Sequence, residues 1–295
     1  METLADLGED ALIRRLVRGL KLDASVLAGP GDDCAVVRAG RGPLLLKTDT
    51  VVEGVHFTSE TPPRLIGRKA MARVISDFAA MAATPRHALI TLIAPAHTPV
   101  KRVLGVYAGL RAMAESFGVN IVGGETSRGA QLIITVSMTG AVSGGRWIPR
   151  NRAQAGDGLY VTGRLGGSLR GKHLRFQPRM AEALWIAKHL PVHAMMDLSD
   201  GLAQDLPRMA AACGLHFHAD MAALPRTPGC TSAQAWGDGE DYELLLALSN
   251  KTSQHQLGAW RLAFPKLKLT RIGELVVKQR TAPPAPGGGW EHFRE

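Results

Sequence analysis

The 295-residue chain is 45% hydrophobic, enough for a sizeable core and for one large domain or two moderate ones at roughly 100–200 residues each. No apolar run approaches the ~18 residues of a membrane helix, and METLADLGEDALIRRLVRGL has neither the basic start nor the apolar stretch of a signal peptide; a cytoplasmic protein with no membrane partner is expected. The formal net charge of +9 is scattered, its densest patch being RWIPRNR at 146–152, and 5% of residues are aromatic, which argues against nucleic acid as the partner and suits a small polyanionic substrate.

Residues 9–20 read as a helix. CAVVRAG and PLLLKTD then read as two strands of a hairpin around RAGRG. A helix is expected from about Pro63 to Met81, with Ile66, Ala70, Val74, Phe78 and Met81 at helical spacing. HALITLIAP reads as a strand. VKRVLGVYAGLRAMAESFG reads as a helix with Gly118 at its C-cap. NIVGGETS and QLIITVSMTGAV add two strands. The polar, Gly-rich tract 143–158 marks a boundary, giving domains 1–145 and 146–295. The second half runs through the strand LYVTG, a helix around 178–190, DLSDGLAQDLPRMAAACG entering another helix, and the strands HFHADM and YELLLALS. APPAPGGGWEHFRE, at 282–295, reads as a Pro/Gly arm. The alternation of elements predicts an α+β class. The three cysteines, Cys34, Cys213 and Cys230, are far apart with no CxxC; they read as small buried hydrophobes rather than a disulfide framework or zinc site.

GPGDDCAVVRAG, residues 29–40, places Asp32 and Asp33 side by side in a glycine turn. Alone it is a solvated turn, because Gly and Asp favour turns through backbone geometry. Other carboxylates also sit where elements begin or end. Asp49 closes LLLKTDT, Glu125 lies in GGETS, Asp197 and Asp200 lie in MMDLSDG, and Glu240 and Asp241 lie in GDGEDYELLL. Asp77 sits in the apolar segment ARVISDFAAMAA, where it is either an exposed stripe residue or one half of a salt bridge. Carboxylates at element ends, without Cys or His ligand spacing, point to hard cations such as Mg²⁺ bridging protein to phosphate. The chain has no GxxxxGK[ST] P-loop and no HRD or DFG set; any use of ATP takes another route.

In order, GDDCAVV, KTDTVVEGVHF, SDFAAMAATP, VGGETSRG, AGDGLYVTG, DLSDGLAQDL and GEDYELLLAL resemble the thiamine-monophosphate kinase family. That family is related to aminoimidazole ribonucleotide synthetase, selenophosphate synthetase and a hydrogenase maturation protein. The similarity runs from about residue 7 to Trp290. GDD, SD and SDG are each weak signals, whereas TDTVVEGVHF with GEDYEL is specific. The resemblance implies an α+β, two-domain aminoimidazole-ribonucleotide-synthetase-like (PurM-like) fold. It implies a homodimer whose N-terminal sheets join, an N-terminal ATP- and metal-binding domain, and a C-terminal domain with a substrate-contacting tail. It implies transfer of the γ-phosphoryl of ATP to thiamine monophosphate with several Mg²⁺ ions. By motif, Asp33, Thr48, Asp49, Asp77, Glu125, Asp197 and Asp200 correspond to metal ligands, with Asp49, Asp77 and Arg150 at the chemistry. Gly124, Glu125, Arg150 and Ser199 correspond to nucleotide contacts, and His56, Glu240 and Trp290 to substrate contacts. At Lys47 the family can use a main-chain oxygen, so its side chain need not matter.

Read without the family, His56 is a strand-end histidine satisfied by backbone, Arg150 a solvated linker arginine and Trp290 a tail anchor. The chain departs from the family pattern at Glu125, where Asp is usual in GGDT, at Asp238, which replaces a small residue, and in a shortened stretch between Gly163 and Asp197. Alternatives are a sister ATP-using enzyme with another acceptor, or a nucleotide-binding homologue with reduced catalysis.

Overall fold

The computed structural model describes residues 2–30, 35–142, 146–277 and 287–290. Asp32, Asp33 and Cys34 lie outside the described residues. The chain forms two compact units. One comprises Met1–Phe78 and Ala83–Gly145, the other Ala79–Ala82 and Arg146–Glu295.

The first unit contains α1 (Leu4–Leu7), α2 (Glu9–Val17), β1 (Val26–Ala28), β2 (Val36–Val37), β3 (Leu44–Val52), α3 (Pro63–Ala80), β4 (Thr84–Ala94), α4 (Val100–Ser116), β5 (Asn120–Arg128) and β6 (Ile133–Ala141). Its four-stranded sheet has the order β3-β6-β4-β5. β6 runs antiparallel to both neighbours, and β4 and β5 are parallel. Strict alternation builds it: Ile134, Val136 and Met138 are buried while Ile133, Thr135 and Ser137 are only half-buried. The fully buried face of α3, with Ile66, Met71, Val74 and Ile75, supplies much of this unit's core.

The expected hairpin between CAVVRAG and PLLLKTD does not form. β2 pairs with β1, and β3 pairs along all nine of its residues with β6. Two residues of β2 cannot compete with a full ladder of that length. α4 ends with Phe117 as its cap residue, followed by Gly118 in the left-handed region at φ 65°.

α3 and α4 meet at two glycines. A Cβ on Gly67 would lie 1.8 Å from the Val106 carbonyl oxygen, and one on Gly109 2.0 Å from that of Arg64. Backbone touches backbone there, so no side-chain rotamer relieves the clash. Helix propensity alone would make Gly67→Ala stabilising by about 1 kcal/mol. The contact reverses the sign: we expect a loss of about 1–3 kcal/mol in a denaturant titration, and a gain would contradict this packing.

The second unit contains β7 (Gly158–Thr162), a 3-10 turn (Ser168–Arg170), α5 (Lys172–Arg175), α6 (Met180–His189), β8 (Val192–Asp197), α7 (Leu202–Ala212), β9 (Leu215–Ala219), α8 (Ser232–Gly237), β10 (Leu244–Leu248), α9 (Gln254–Ala263) and β11 (Leu269–Val277). Its five strands, ordered β8-β10-β7-β11-β9, pair antiparallel throughout. β10 is buried on both faces, which explains why LLLAL reads as a continuous apolar run rather than an alternating one. Leu159, Val161, Leu206, Met209, Trp236 and Leu245 lie at the centre of this core. Among the described residues, no helix is long and apolar enough to cross a membrane.

Candidate functional site

In the first unit, a charged cluster joins β3 to α3. Lys47 and Asp49 lie two residues apart on β3 and so share a face, the one that also carries buried Val51. Asp77 reaches the same place from α3. The Lys47 Nζ lies 3.3 Å from Asp49 Oδ1 and 3.1 Å from Asp77 Oδ2, with all three side chains about a third exposed or less. Burial lowers the Lys47 pKa, but Asp77 and Asp49 outweigh it and the net shift is upward. The apolar surroundings of Asp77 therefore do hide a salt-bridge partner. The partner is the residue whose side chain the resemblance set aside.

The strand that carries these groups is tied off at its end. His56 Nδ1 accepts the Val52 N–H at 3.1 Å, which puts the proton of the neutral ring on Nε2. Lys69, fully buried, donates to the His56 carbonyl at 2.6 Å. Arg73 donates to the Thr50 carbonyl at 3.1 Å. Two basic residues of α3 thus fix the β3–loop junction against the helix that carries Asp77.

Thr48, although adjacent to Asp49, points the other way. Its Oγ1 meets Ser137 Oγ at 3.0 Å, on the face where Thr50 meets Thr135 at 2.8 Å. Glu125 pairs in register with Thr91, which itself pairs with Thr135, so Glu125 belongs to this second face and is exposed. A cavity of about 1080 Å³ opens here, lined by Leu46, Thr48, Leu89, Thr91, Glu125 and Ser137 among others. The side chains of Thr48 and Glu125 therefore do not join Asp49 and Asp77; only the Thr48 main chain is on hand for that cluster. Gly124 is required by its own strand, since a Cβ there would lie 1.9 Å from the Ile90 carbonyl oxygen.

In the second unit the DLSDG loop, the GDGEDYEL loop and the tail meet. Asp197 ends β8, is buried, and pairs with Leu244 in the ladder. The loop after it is held by Asp205 in the first turn of α7, whose Oδ2 accepts the Ser199 and Asp200 N–H groups at 3.1 and 3.0 Å. Burial, followed by Asp200 and Asp197, pushes the Asp205 carboxyl up to about 7. Arg208 pairs with Asp200 and with Asp205, the latter at 3.1 Å. The Glu240 N–H donates to the Ser199 carbonyl at 2.6 Å. Glu240 and Tyr242 both sit in the left-handed region, at φ 63° and 51°, a strained backbone of the kind found at ligand sites.

In and around this stretch the chain is pinned by acids, of which Asp241 and Glu243 are buried. Asp241 accepts the Gly166 N–H at 2.9 Å and is bonded by Ser168 Oγ. Glu243 takes a two-pronged contact from Arg179 at 2.7 Å, a bond from Thr162 at 2.9 Å and Lys172 at 3.1 Å. Asp238 accepts the Gly167 N–H at 2.8 Å. The stretch after Gly163 is thus fastened directly to the GEDYEL motif. The tail docks on the same loops. Trp290 donates its N–H to the Asp200 carbonyl at 2.9 Å, Gly289 to that of Gly237 at 3.1 Å, and Gln204 Nε2 to that of Gly288 at 2.9 Å. Trp290 is 48% exposed. Arg150 is exposed, and its carbonyl accepts from Cys213 Sγ at 3.5 Å.

Sequence reasoning assigned no side-chain role to Lys47, and none at all to Asp205, Arg208 or Glu243. Asp205 carried a usable signal, an acid in the first turn after a strand–loop–helix junction. The donor set suits Mg²⁺. Two carboxylate oxygens from separate elements converge on one cationic group, and Mg²⁺ is usually held by one or two carboxylates plus water and phosphate oxygens. Among the described residues, no three His, Cys, Asp or Glu side chains gather closely enough to form a complete metal cage.

The AIR synthase related protein family matches this chain twice, its N-terminal domain at residues 31–142 and its C-terminal domain at 157–283. The thiamine-monophosphate kinase of Rhodopirellula baltica is 38% identical over 275 residues, spanning 85% of this chain and 84% of its own. The crystal structure of thiamine-monophosphate kinase from Stenotrophomonas maltophilia K279a has a TM-score of 0.77 at 30% identity, covering 92% of this chain and 93% of that one. AaThiL complexed with AMPPCP and TMP has a TM-score of 0.77 at 28% identity, covering 99% of each chain. Two large sheets, two consecutive family matches and whole-length structural similarity define an AIR-synthase-related protein with the two-domain α+β (PurM-like) fold. Within that class, the chain belongs to the thiamine-monophosphate kinase family.

Proposed function

We propose that this protein transfers the γ-phosphoryl group of ATP to thiamine monophosphate, giving thiamine diphosphate and ADP. Membership of the family over 84% of a relative's length carries this reading, supported by whole-chain similarity to a structure holding an ATP analogue together with TMP.

In this reading Asp49 and Asp77, with the Thr48 main chain, would hold Mg²⁺ in the first unit, which serves as the ATP- and metal-binding domain; Asp33 is a candidate ligand by motif alone. Asp197 and Asp200 are candidate ligands in the second. Bound Mg²⁺ supplies charge neutralisation for two polyphosphates that would otherwise repel one another. Arg150 adds a guanidinium suited to phosphate oxygens. By motif, Gly124, Glu125 and Ser199 are candidate nucleotide contacts, and His56 and Glu240 candidate contacts of the acceptor. The acceptor oxygen belongs to a phosphate already ionised near neutral pH, so the reaction needs no general base and none of these residues is assigned as one. The exposed Leu44, Leu46 and Leu89 on one sheet face support a homodimer formed through the N-terminal sheet. The protein acts in the cytoplasm, without nucleic acid or membrane as a partner.

Trp290 would lie over the cationic thiazolium. A cation–π contact of about 0.5–2 kcal/mol corresponds to a roughly 2- to 30-fold rise in KM for thiamine monophosphate in Trp290→Ala, with KM for ATP unchanged. Equal KM values for wild type and variant would reduce Trp290 to a tail anchor. The reading as a whole is tested by incubating the protein with ATP, Mg²⁺ and thiamine monophosphate. Thiamine diphosphate and ADP should appear in equal amounts; ATP binding without product would sink it.

A further inference from the structure

Lys47 sits where a phosphate-handling site would be expected to keep a cation of another kind. Its Nζ lies between Asp49 Oδ1 and Asp77 Oδ2, at 3.3 and 3.1 Å. Without it, two carboxylates would face each other across the gap between strand and helix with one cation fewer to offset their repulsion. The arrangement follows from the chain. Lys47 and Asp49 share a strand face by their two-residue spacing, and α3, held in place through Gly67 and Gly109, brings Asp77 over both. The cluster is partly exposed, with the Lys47 side chain at 37%, so the ammonium has room to swing into solvent on its flexible stem.

We propose that Lys47 is a tethered counter-ion that occupies the cation position shared by Asp49 and Asp77 and competes with divalent metal for it. The proposal rests on the kinase reading only in naming Mg²⁺ as the competitor. An ammonium and a divalent ion that engages both carboxylates cannot fill the same space. Because the ammonium is covalently attached, it never dilutes away, and an entering ion has to displace it. Free metal in the absence of nucleotide then binds weakly. A metal that arrives already chelated by a polyphosphate brings further ligands with it and can displace the lysine. Lys47 thus keeps the two carboxylates oriented in the resting protein and favours entry of metal with nucleotide. It acts through the carboxylates and is a positioning residue.

The test uses the full chain and Mn²⁺ as a probe of the divalent site, with neither ATP nor thiamine monophosphate present. Free Mn²⁺ is followed by electron paramagnetic resonance in wild type, Lys47→Met, Lys47→Arg and the double variant Lys47→Met/Asp77→Asn. Losing an exposed two-partner ion pair should tighten Mn²⁺ binding in Lys47→Met by roughly three- to tenfold. Lys47→Arg, which keeps a cation, should stay near wild type, and the double variant should lose the gain. The thermal midpoint of Lys47→Met should fall below wild type without metal and return to it with Mn²⁺. Should Lys47→Met not fold, Lys47→Gln removes the same charge with a polar side chain and is read in the same way. Unchanged or weaker Mn²⁺ binding in the charge-removing variant, or a gain that survives Asp77→Asn, would overturn the proposal. None of these readouts depends on turnover, so a failure of the kinase assay leaves them standing and their failure leaves the kinase assay standing.

Discussion

Asp77→Asn should reduce thiamine diphosphate formation by roughly 10²–10³-fold, the scale at which loss of one preorganised charge-stabilising group is felt, while leaving the fold intact. Asn is isosteric and keeps an oxygen, but it removes the negative charge that a bridging cation needs. The core positions around it, Val74, Ile75 and Phe78, are all buried and do not change. The Asp77 side chain is 28% exposed, and the lysine that loses it retains Asp49. The stability cost should therefore stay within the ~1 kcal/mol range of exposed ion pairs. Steady-state turnover with saturating ATP and Mg²⁺, alongside a thermal melt, separates the two effects. Turnover within threefold of wild type would remove Asp77 from the chemistry.

Glu243→Leu should act in the opposite way, through stability. Glu243 is 2% exposed and neutralises Arg179 and Lys172 at once. Removing one partner of a buried ion pair costs about 3–5 kcal/mol, because the charges left behind have lost both water and counter-charge. Spread over a unit of this size, that lowers the melting midpoint by roughly 6–20 °C. The double variant Arg179→Met/Glu243→Leu should recover part of the loss, since it removes a stranded charge and replaces the pair with apolar volume. A melting midpoint for Glu243→Leu within 2–3 °C of wild type, about 1 kcal/mol, would show that the network is solvated after all. The same network fastens Gly166 and Ser168 to the residue beside Glu240, so the variant should also raise KM for the acceptor.

Local pattern made most of the helices and strands readable, and the motifs made the family readable. Asp77 announced its need for a partner through its apolar neighbours, yet not which residue would supply it. Lys47 is thirty positions away, and the contact exists only once β3 and α3 are packed. Strand parity did hold one readable fact: Thr48 and Asp49 are adjacent, so their side chains leave on opposite faces. Placing Glu125 on the Thr48 face needed the register of β4 with β5 and β6, a pairing between segments that sequence does not specify locally. The false hairpin arose for the same reason, because turn chemistry at RAGRG was plausible and the stronger partner of β3 lay some ninety residues further on. α8 and α9 escaped notice although each begins with a capping box, Thr231 with Gln234 and Ser253 with Gln256. The role of Asp205 was hidden because its carboxylate serves backbone N–H groups, and no motif spacing records such bonds.

The most direct measurement is the fate of the γ-phosphate. ATP labelled at that position is incubated with the protein and Mg²⁺ together with thiamine monophosphate, thiamine or no acceptor. The label should move one-for-one into the terminal phosphate of thiamine diphosphate, with none transferred to thiamine and little released without acceptor. Label appearing in thiamine monophosphate when thiamine is the acceptor, or as inorganic phosphate at a rate indifferent to the acceptor, would contradict phosphoryl transfer to a phosphate group at this site.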